Sequence, residues 1–324
     1  MYDVVTFGEA MVRLSPPDYK RLEQTSSLDV NCGGGEYNVA VSCARLGLRS
    51  AWVSRLTANP LGRMVANKAR EHGVDVSHLK WVDGDRVGLY FLELGATPRA
   101  SRVYYDRAHS AISRIQAGDI DWSLLRDTRL FHVSGITPAL GEACAAQTAI
   151  ALQAARQYGR ATTFDLNYRK TLWTQDQARA CMEPMMEHVE VLITTEDDTR
   201  LVFGMEGEPP QIAEKLAQTF GFKAVAITIR TATRVWLGQW TAIVYADKLY
   251  TDKTYDVEIV DRVGSGDAFS AGFIFGYLEG DLQKALAYGN AMSVIKHSHP
   301  GDLCFATEDE VKAQVAGGGA KIVR

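Results

Sequence analysis

The chain has 324 residues, 46% of them hydrophobic and 23% charged, with a formal net charge of −4. That allows one large α/β domain or two, with a sizeable core. It excludes a basic face for nucleic acid or an anionic membrane surface, so any anionic ligand must be held by local arginines.

Residues 3–14 read as a first strand interrupted by Gly8 and broken by Pro16-Pro17. A polar stretch leads to Gly33-Gly34-Gly35-Glu36-Tyr37-Asn38, which opens an amphipathic helix to about Leu46. Triple glycine before a helix is either a flexible turn or a place where backbone approaches a ligand closely. A strand at 50–54 and a helix at 61–72 follow. Residues 87–93 and 101–106 form a hairpin by their punctuation. From Arg129 the texture becomes regular, with strands at 130–135, 161–165, 189–194 and 224–229. Helices at 142–158, 175–188 and 210–220 alternate with them. Such alternation argues for a parallel sheet with helices on both faces and ligands at the strands' carboxyl ends.

No apolar run approaches the roughly 18 residues that span a bilayer. The start of the chain has no positively charged leader. The cysteines at 32, 43, 144, 181 and 304 are odd in number and show no C-x-x-C spacing, so reduced thiols in a cytoplasmic protein are expected. His297-Ser298-His299 has no acidic or cysteine partner nearby, which argues against a zinc site. Gly317-Gly318-Gly319 reads as a loose tail.

The most informative stretch is Asp261-Arg262-Val263-Gly264-Ser265-Gly266-Asp267, between a strand at 255–260 and an apolar helix ending near Leu278. Strand, two-glycine turn and helix together present outward backbone N–H groups and a positive helix end, an anion hole. Alone, Gly-x-Gly-Asp equally describes a tight turn with Asp267 as N-cap. In a chain of this length, Asp-x-x-Gly-x-Gly-Asp closely resembles the signature of the ribokinase-like (PfkB) carbohydrate kinases. Arg262 and Ser265 stand where that family has Thr and usually Ala.

The resemblance implies a ribokinase-like α/β fold with a mainly parallel central sheet, helices on both faces and a small β-sheet lid. The kinase domain would comprise 1–15, 33–86 and 108–324, and the lid 16–32 and 87–107. Asp267 would be the general base, and Gly264, Ser265 and Gly266 would face the transferred phosphoryl group. ATP and Mg2+ would be the cofactors, with the metal held by phosphates and water and reached by Asp198 only through water. Gly34, Gly35 and Asn38 would meet sugar hydroxyls, and the lid would also join subunits of a homo-oligomer.

Further stretches narrow the resemblance to 2-keto-3-deoxygluconate kinases. Asp165-Leu166-Asn167-Tyr168-Arg169, followed by Leu172-Trp173, resembles their Asp-x-Asn-x-Arg signature. By that likeness Tyr90, Tyr105, Arg107, Arg169 and Asp302 would hold a sugar acid, the guanidinium forks suiting its carboxylate. Asn167, Thr195, Thr228, Arg230 and Asn290, with Gly264 and Gly266, would meet ATP. Two departures bear on the nucleotide: Thr195-Glu196-Asp197-Asp198 replaces Asn-x-x-Glu, and Arg230 stands where glycine is usual. A kinase for a neutral sugar such as fructose and a sugar-binding regulator without catalysis are the alternatives. A dinucleotide fold would need its glycines directly after the first strand, and no P-loop sequence is present.

Overall fold

The computed structural model describes residues 1–318, leaving out the side chains of Ala232 and Thr233; Gly319 of the expected tail lies outside the described residues. The chain begins with β1 (Tyr2–Phe7), β2 (Met11–Ser15), β3 (Asp29–Gly33) and α1 (Gly35–Arg45). β4 (Ser50–Val53), β5 (Arg55–Thr57), α2 (Pro60–Glu71) and β6 (Lys80–Val82) follow, then the hairpin β7 (Gly88–Glu93) and β8 (Arg102–Asp106). A regular run comes next: β9 (Thr128–Ser134), α3 (Glu142–Gln157), β10 (Ala161–Asp165), α4 (Gln175–Met182), β11 (Val191–Thr195), α5 (Glu196–Phe203) and α6 (Pro209–Phe220). The last strands are β12 (Ala224–Arg234), β13 (Leu237–Tyr245), β14 (Leu249–Thr251) and β15 (Tyr255–Glu258). Helices α7 (Ser265–Leu278), α8 (Leu282–His297) and α9 (Glu308–Val315) close the described chain.

The central sheet runs β14-β13-β12-β11-β10-β9-β1-β4, with β15 also on β13. It is parallel from β4 to β12, while β13, β14 and β15 add antiparallel pairings. Side chains alternate between its faces, as the period of two requires. Val5, Phe7, Phe131, Val133, Val225 and Ile227 pack on α3, α4, α5 and α6. Val4 and Leu130 meet α1 and α7, and Ala224 and Ala226 meet α7 and α8, on the other face. This is the ribokinase-like layering expected.

A separate sheet, β3-β2-β7-β8, stands beside the carboxyl ends of the parallel strands. Here the structure corrects the reading of 3–14 as one strand. β1 belongs to the central sheet, whereas β2 pairs with β3 and β7 in the small one. Residues 11–15, grouped above with the kinase domain, therefore lie in the small sheet. The strand expected at 224–229 runs further, because β12 continues through Arg230 to Arg234. Helix α8 gave no periodic signal because its buried residues fall on all sides.

Candidate functional site

Residues 261–264 turn the chain from β15 into α7. Gly264, the helix N-cap, has φ of 85° and ψ of −1°, left-handed values that favour glycine. A Cβ there would also strike the Asp302 carbonyl oxygen. The Ser265 N–H is used inside the turn, donating to the Arg262 carbonyl at 3.2 Å. The N–H groups of Gly264, Gly266 and Asp267 have no acceptor among the described residues. A Cβ added at Gly266 would meet no atom within 4 Å, so the backbone there faces open space. Unpaired amides and the positive end of a helix favour an anion at this spot.

Asp267 is the third residue of α7 and not its N-cap. Its Oδ2 accepts from Asn38 Nδ2 at 2.7 Å, and Asn38 Oδ1 accepts the Gly34 N–H at 3.3 Å. Both ends of the Asn38 amide are thus engaged in orienting Asp267. Burial, with added negative charge from Glu36 and Asp302, outweighs the Asn38 bond and Arg169 and pushes the Asp267 carboxyl up to about 7. Glu36 lies fully buried behind it, its Oε1 accepting from the Ser134 N–H (2.9 Å), Ser134 Oγ (2.8 Å) and Thr137 Oγ1 (2.7 Å).

Asp267 and the amides open into a cleft of about 480 Å³ between the two sheets. The cleft brings together Gly34, Gly35, Asn38, Tyr90, Tyr105, Arg107, Arg169 and Asp302 with Asn167, Thr195, Asp198, Thr228, Arg230 and residues 264–267. Asn290 is not among them. It is fully buried, accepting from Trp240 Nε1 at 3.0 Å and donating to Asp252 at 2.9 Å.

On the small-sheet side Arg107, Tyr90 and Asp302 are already paired. Arg107 Nε donates to Glu9 Oε2 at 2.8 Å, its Nη2 bonds the same oxygen, and Ser110 Oγ donates to Glu9 Oε1. The Arg107 guanidinium also lies 5.5 Å from the centre of the Tyr105 ring. Tyr90 is buried and its hydroxyl donates to Asp302 Oδ2. Asp302 Oδ1 in turn accepts from Arg13 Nη1 at 2.8 Å, and Arg13 Nη2 donates to Asp261 Oδ2 at 2.6 Å. Against its own burial, Asp302 and Asp261 hold Arg13 protonated, above its usual range.

The opposite side is built from strand ends. Asn167, just past β10, has φ of 37°, uncommon for a residue with a Cβ and therefore worth notice beside a cleft. Its amide reaches Asp165 at 3.4 Å. Burial, then the charges of Asp267 and Asp198, drive the Asp165 carboxyl well above its ordinary range. Thr195 caps α5 by accepting the Asp198 N–H at 3.0 Å, and Thr228 Oγ1 leans on the Thr194 carbonyl at 3.4 Å. Arg169, Arg230 and Arg262 are exposed and form no ion pair among the described residues. No group of three or more His, Cys, Asp or Glu residues is placed to hold a metal ion among the described residues.

Sequence reasoning did not single out Glu9, Arg13, Glu36 or Trp240. One signal was present for Arg13: a lone arginine inside the apolar run Met11-Val12-Arg13-Leu14. An arginine there is either on a solvated face or paired in the core.

A family model for pfkB family carbohydrate kinases matches residues 1–306. A 2-dehydro-3-deoxygalactonokinase of Haloferax volcanii is 39% identical over 324 residues, 99% of each chain. A 2-dehydro-3-deoxygluconokinase of Thermoproteus tenax is 29% identical over 307 residues, covering 93% of this chain and 90% of that one. The crystal structure of a 2-dehydro-3-deoxygluconokinase from Thermotoga maritima matches with a TM-score of 0.95 at 42% identity, covering 98% of each chain.

Proposed function

The chain belongs to the pfkB family of carbohydrate kinases and is an ATP-dependent sugar-acid kinase, and from that premise we propose that it phosphorylates the terminal hydroxyl of 2-keto-3-deoxygluconate or a closely related keto-deoxy sugar acid. The names of the similar enzymes support this substrate class, since 2-dehydro-3-deoxygluconate is the same compound. One observation carries the reading: a carboxyl tuned to about 7 stands beside unpaired amides at a helix N-terminus. A base and an anion cradle side by side suit phosphoryl transfer, which needs positioning and charge stabilisation more than covalent help.

In this scheme the Asp267 carboxylate takes the proton of the terminal hydroxyl. The freed oxygen bonds to the γ-phosphorus as the bridging oxygen–phosphorus bond to ADP breaks. The amides of Gly264, Gly266 and Asp267 take up charge that develops on the phosphoryl oxygens. Asn38 keeps the carboxylate turned towards the acceptor. Arg107 and Arg169 hold the sugar's carboxylate end, which decides which hydroxyl reaches the base. Mg2+ held by the nucleotide's phosphates would offset their charge, and Asp198, facing the same cleft, would be the residue to reach it through water.

The test is ADP release from Mg·ATP with 2-keto-3-deoxygluconate, its galactonate epimer, gluconate, fructose, ribose and adenosine. Turnover confined to the keto-deoxy acids is expected. Turnover on fructose or ribose alone would keep Asp267 as base and remove the acid-binding role from the arginines.

A further inference from the structure

The least explained group beside the cleft is Arg13. Its side chain projects from the small sheet with 1% exposure and does not line the cleft. It donates through Nε to Ser15 Oγ (2.9 Å), through Nη1 to Asp302 and through Nη2 to Asp261. Asp261 is held at other points as well. Its Oδ1 accepts the Val263 N–H at 3.0 Å and its Oδ2 the Gly301 N–H at 3.1 Å. The buried Lys296 ammonium donates to the Asp261 carbonyl at 3.0 Å and to the His299 carbonyl at 3.3 Å. Val263 immediately precedes Gly264, and Gly264 packs against the backbone of Asp302. Thus both residues gripped by Arg13 also fix the turn that forms the amide cradle.

Two cations (Arg13, Lys296) and two carboxylates (Asp261, Asp302) sit together out of water. Such networks are weak sources of stability, because desolvation offsets the attraction. What a guanidinium adds is geometry: a rigid planar fork holds two carboxylates at fixed spacing, which a lysine ammonium does not. We propose that Arg13 is a positioning residue that locks the amide cradle to the small sheet through Asp261 and Asp302. The arrangement of a sheet on the sugar side then sets the affinity of the cradle for phosphate.

This inference rests on the reading of the cradle as the phosphoryl site, but not on the identity of the sugar. The test therefore measures binding of a non-hydrolysable ATP analogue with Mg2+ by calorimetry in the intact protein, without any sugar. Arg13→Lys keeps the charge count and loses the fork. Its affinity for the analogue is expected to fall about tenfold or more, whereas a purely structural residue would lower the melting temperature and leave affinity unchanged. Gly266→Ala, which places a methyl in the open space above the cradle, serves as the control. Weakening in Gly266→Ala with wild-type affinity in Arg13→Lys overturns the role of Arg13 and leaves the phosphoryl site standing. Wild-type affinity in both overturns the site itself. Should Arg13→Lys fail to melt cooperatively, Asp261→Asn is measured in its place, with the same two results deciding.

Discussion

The two walls of the cleft carry similar numbers of charges but in opposite states. On the small-sheet side, Arg107 and, behind the lining, Arg13 are bound to buried carboxylates, and Tyr90 is bound to one of them. Across the cleft, Arg169, Arg230 and Arg262 are exposed and without ion pairs among the described residues. The first wall is organised before any ligand arrives, because leaving its groups unpaired in a buried place would be costly. The second leaves its cations for a ligand to neutralise. Arg230 even depresses the affinity of Arg262 for its proton, adding to the effect of partial burial. Cations free of ion pairs can turn to an anionic substrate, and a preformed wall suits recognition of shape.

Asp267, where the two walls meet, gives the largest expected effect. Asp267→Asn should lower kcat by about 10²–10⁴-fold with sugar binding largely kept, measured by steady-state assay and calorimetry. Near-normal turnover would remove Asp267 from the role of base. In the parent, kcat/KM should climb about tenfold per pH unit up to about 7 and level off above it, since only the ionised carboxylate accepts a proton. The stability consequence has the opposite sense. The folded carboxyl keeps a proton that the unfolded one, titrating near 4, has already lost. Stability therefore falls as pH rises from about 4 to about 7, and Asp267→Asn should escape that loss. At pH 8 the variant should be more stable by about 1–2 kcal/mol in denaturant unfolding.

The same substitution made on each wall breaks the comparison directly. Arg169→Met removes a cation that forms no ion pair and acts on Asp165, Asp198 and Asp267 only through its longer-range charge, so unfolding should change by no more than about 1 kcal/mol. Its kcat/KM for the sugar acid should drop about 10–100-fold. Arg107→Met strands the Glu9 carboxylate in a buried place, so stability should fall by about 2–4 kcal/mol along with activity. Equal stability losses in the two variants would show that the walls do not differ as described.

How far these features were legible in the sequence follows from their length scale. The cradle was readable because strand, glycines, acid and helix are consecutive, and the local rules for turns and helix starts act within seven residues. The parallel sheet was readable because its strands repeat with helices between them. The split of 3–14 into two sheets was not, since Gly8-Glu9-Ala10 differs little from a bulge until the partners of β2 are known. The pairing of Arg13 with Asp261 and Asp302 was out of reach for a similar reason. It joins residues 248 and 289 positions apart, and no spacing rule operates over such a distance. Asn290 was misplaced because burial of a helix without an amphipathic stripe cannot be read from its pattern.

The smallest effect separates two tyrosines that the sequence treated alike. Their rings lie 5.8 Å apart on neighbouring strands of the small sheet. Tyr90 is 3% exposed and its hydroxyl is the donor to Asp302, whereas Tyr105 is 45% exposed and makes no side-chain hydrogen bond among the described residues. Removing the Tyr90 hydroxyl leaves a buried carboxylate oxygen short of a donor, so Tyr90→Phe should cost about 1–3 kcal/mol of stability. Tyr105→Phe strands nothing within the protein and keeps the ring over which Arg107 sits. On the proposal that this hydroxyl meets the bound sugar, KM should rise about twofold to fivefold, with kcat and unfolding unchanged. A wild-type KM in Tyr105→Phe would assign sugar recognition on this wall to Arg107 and leave Tyr105 as its aromatic support.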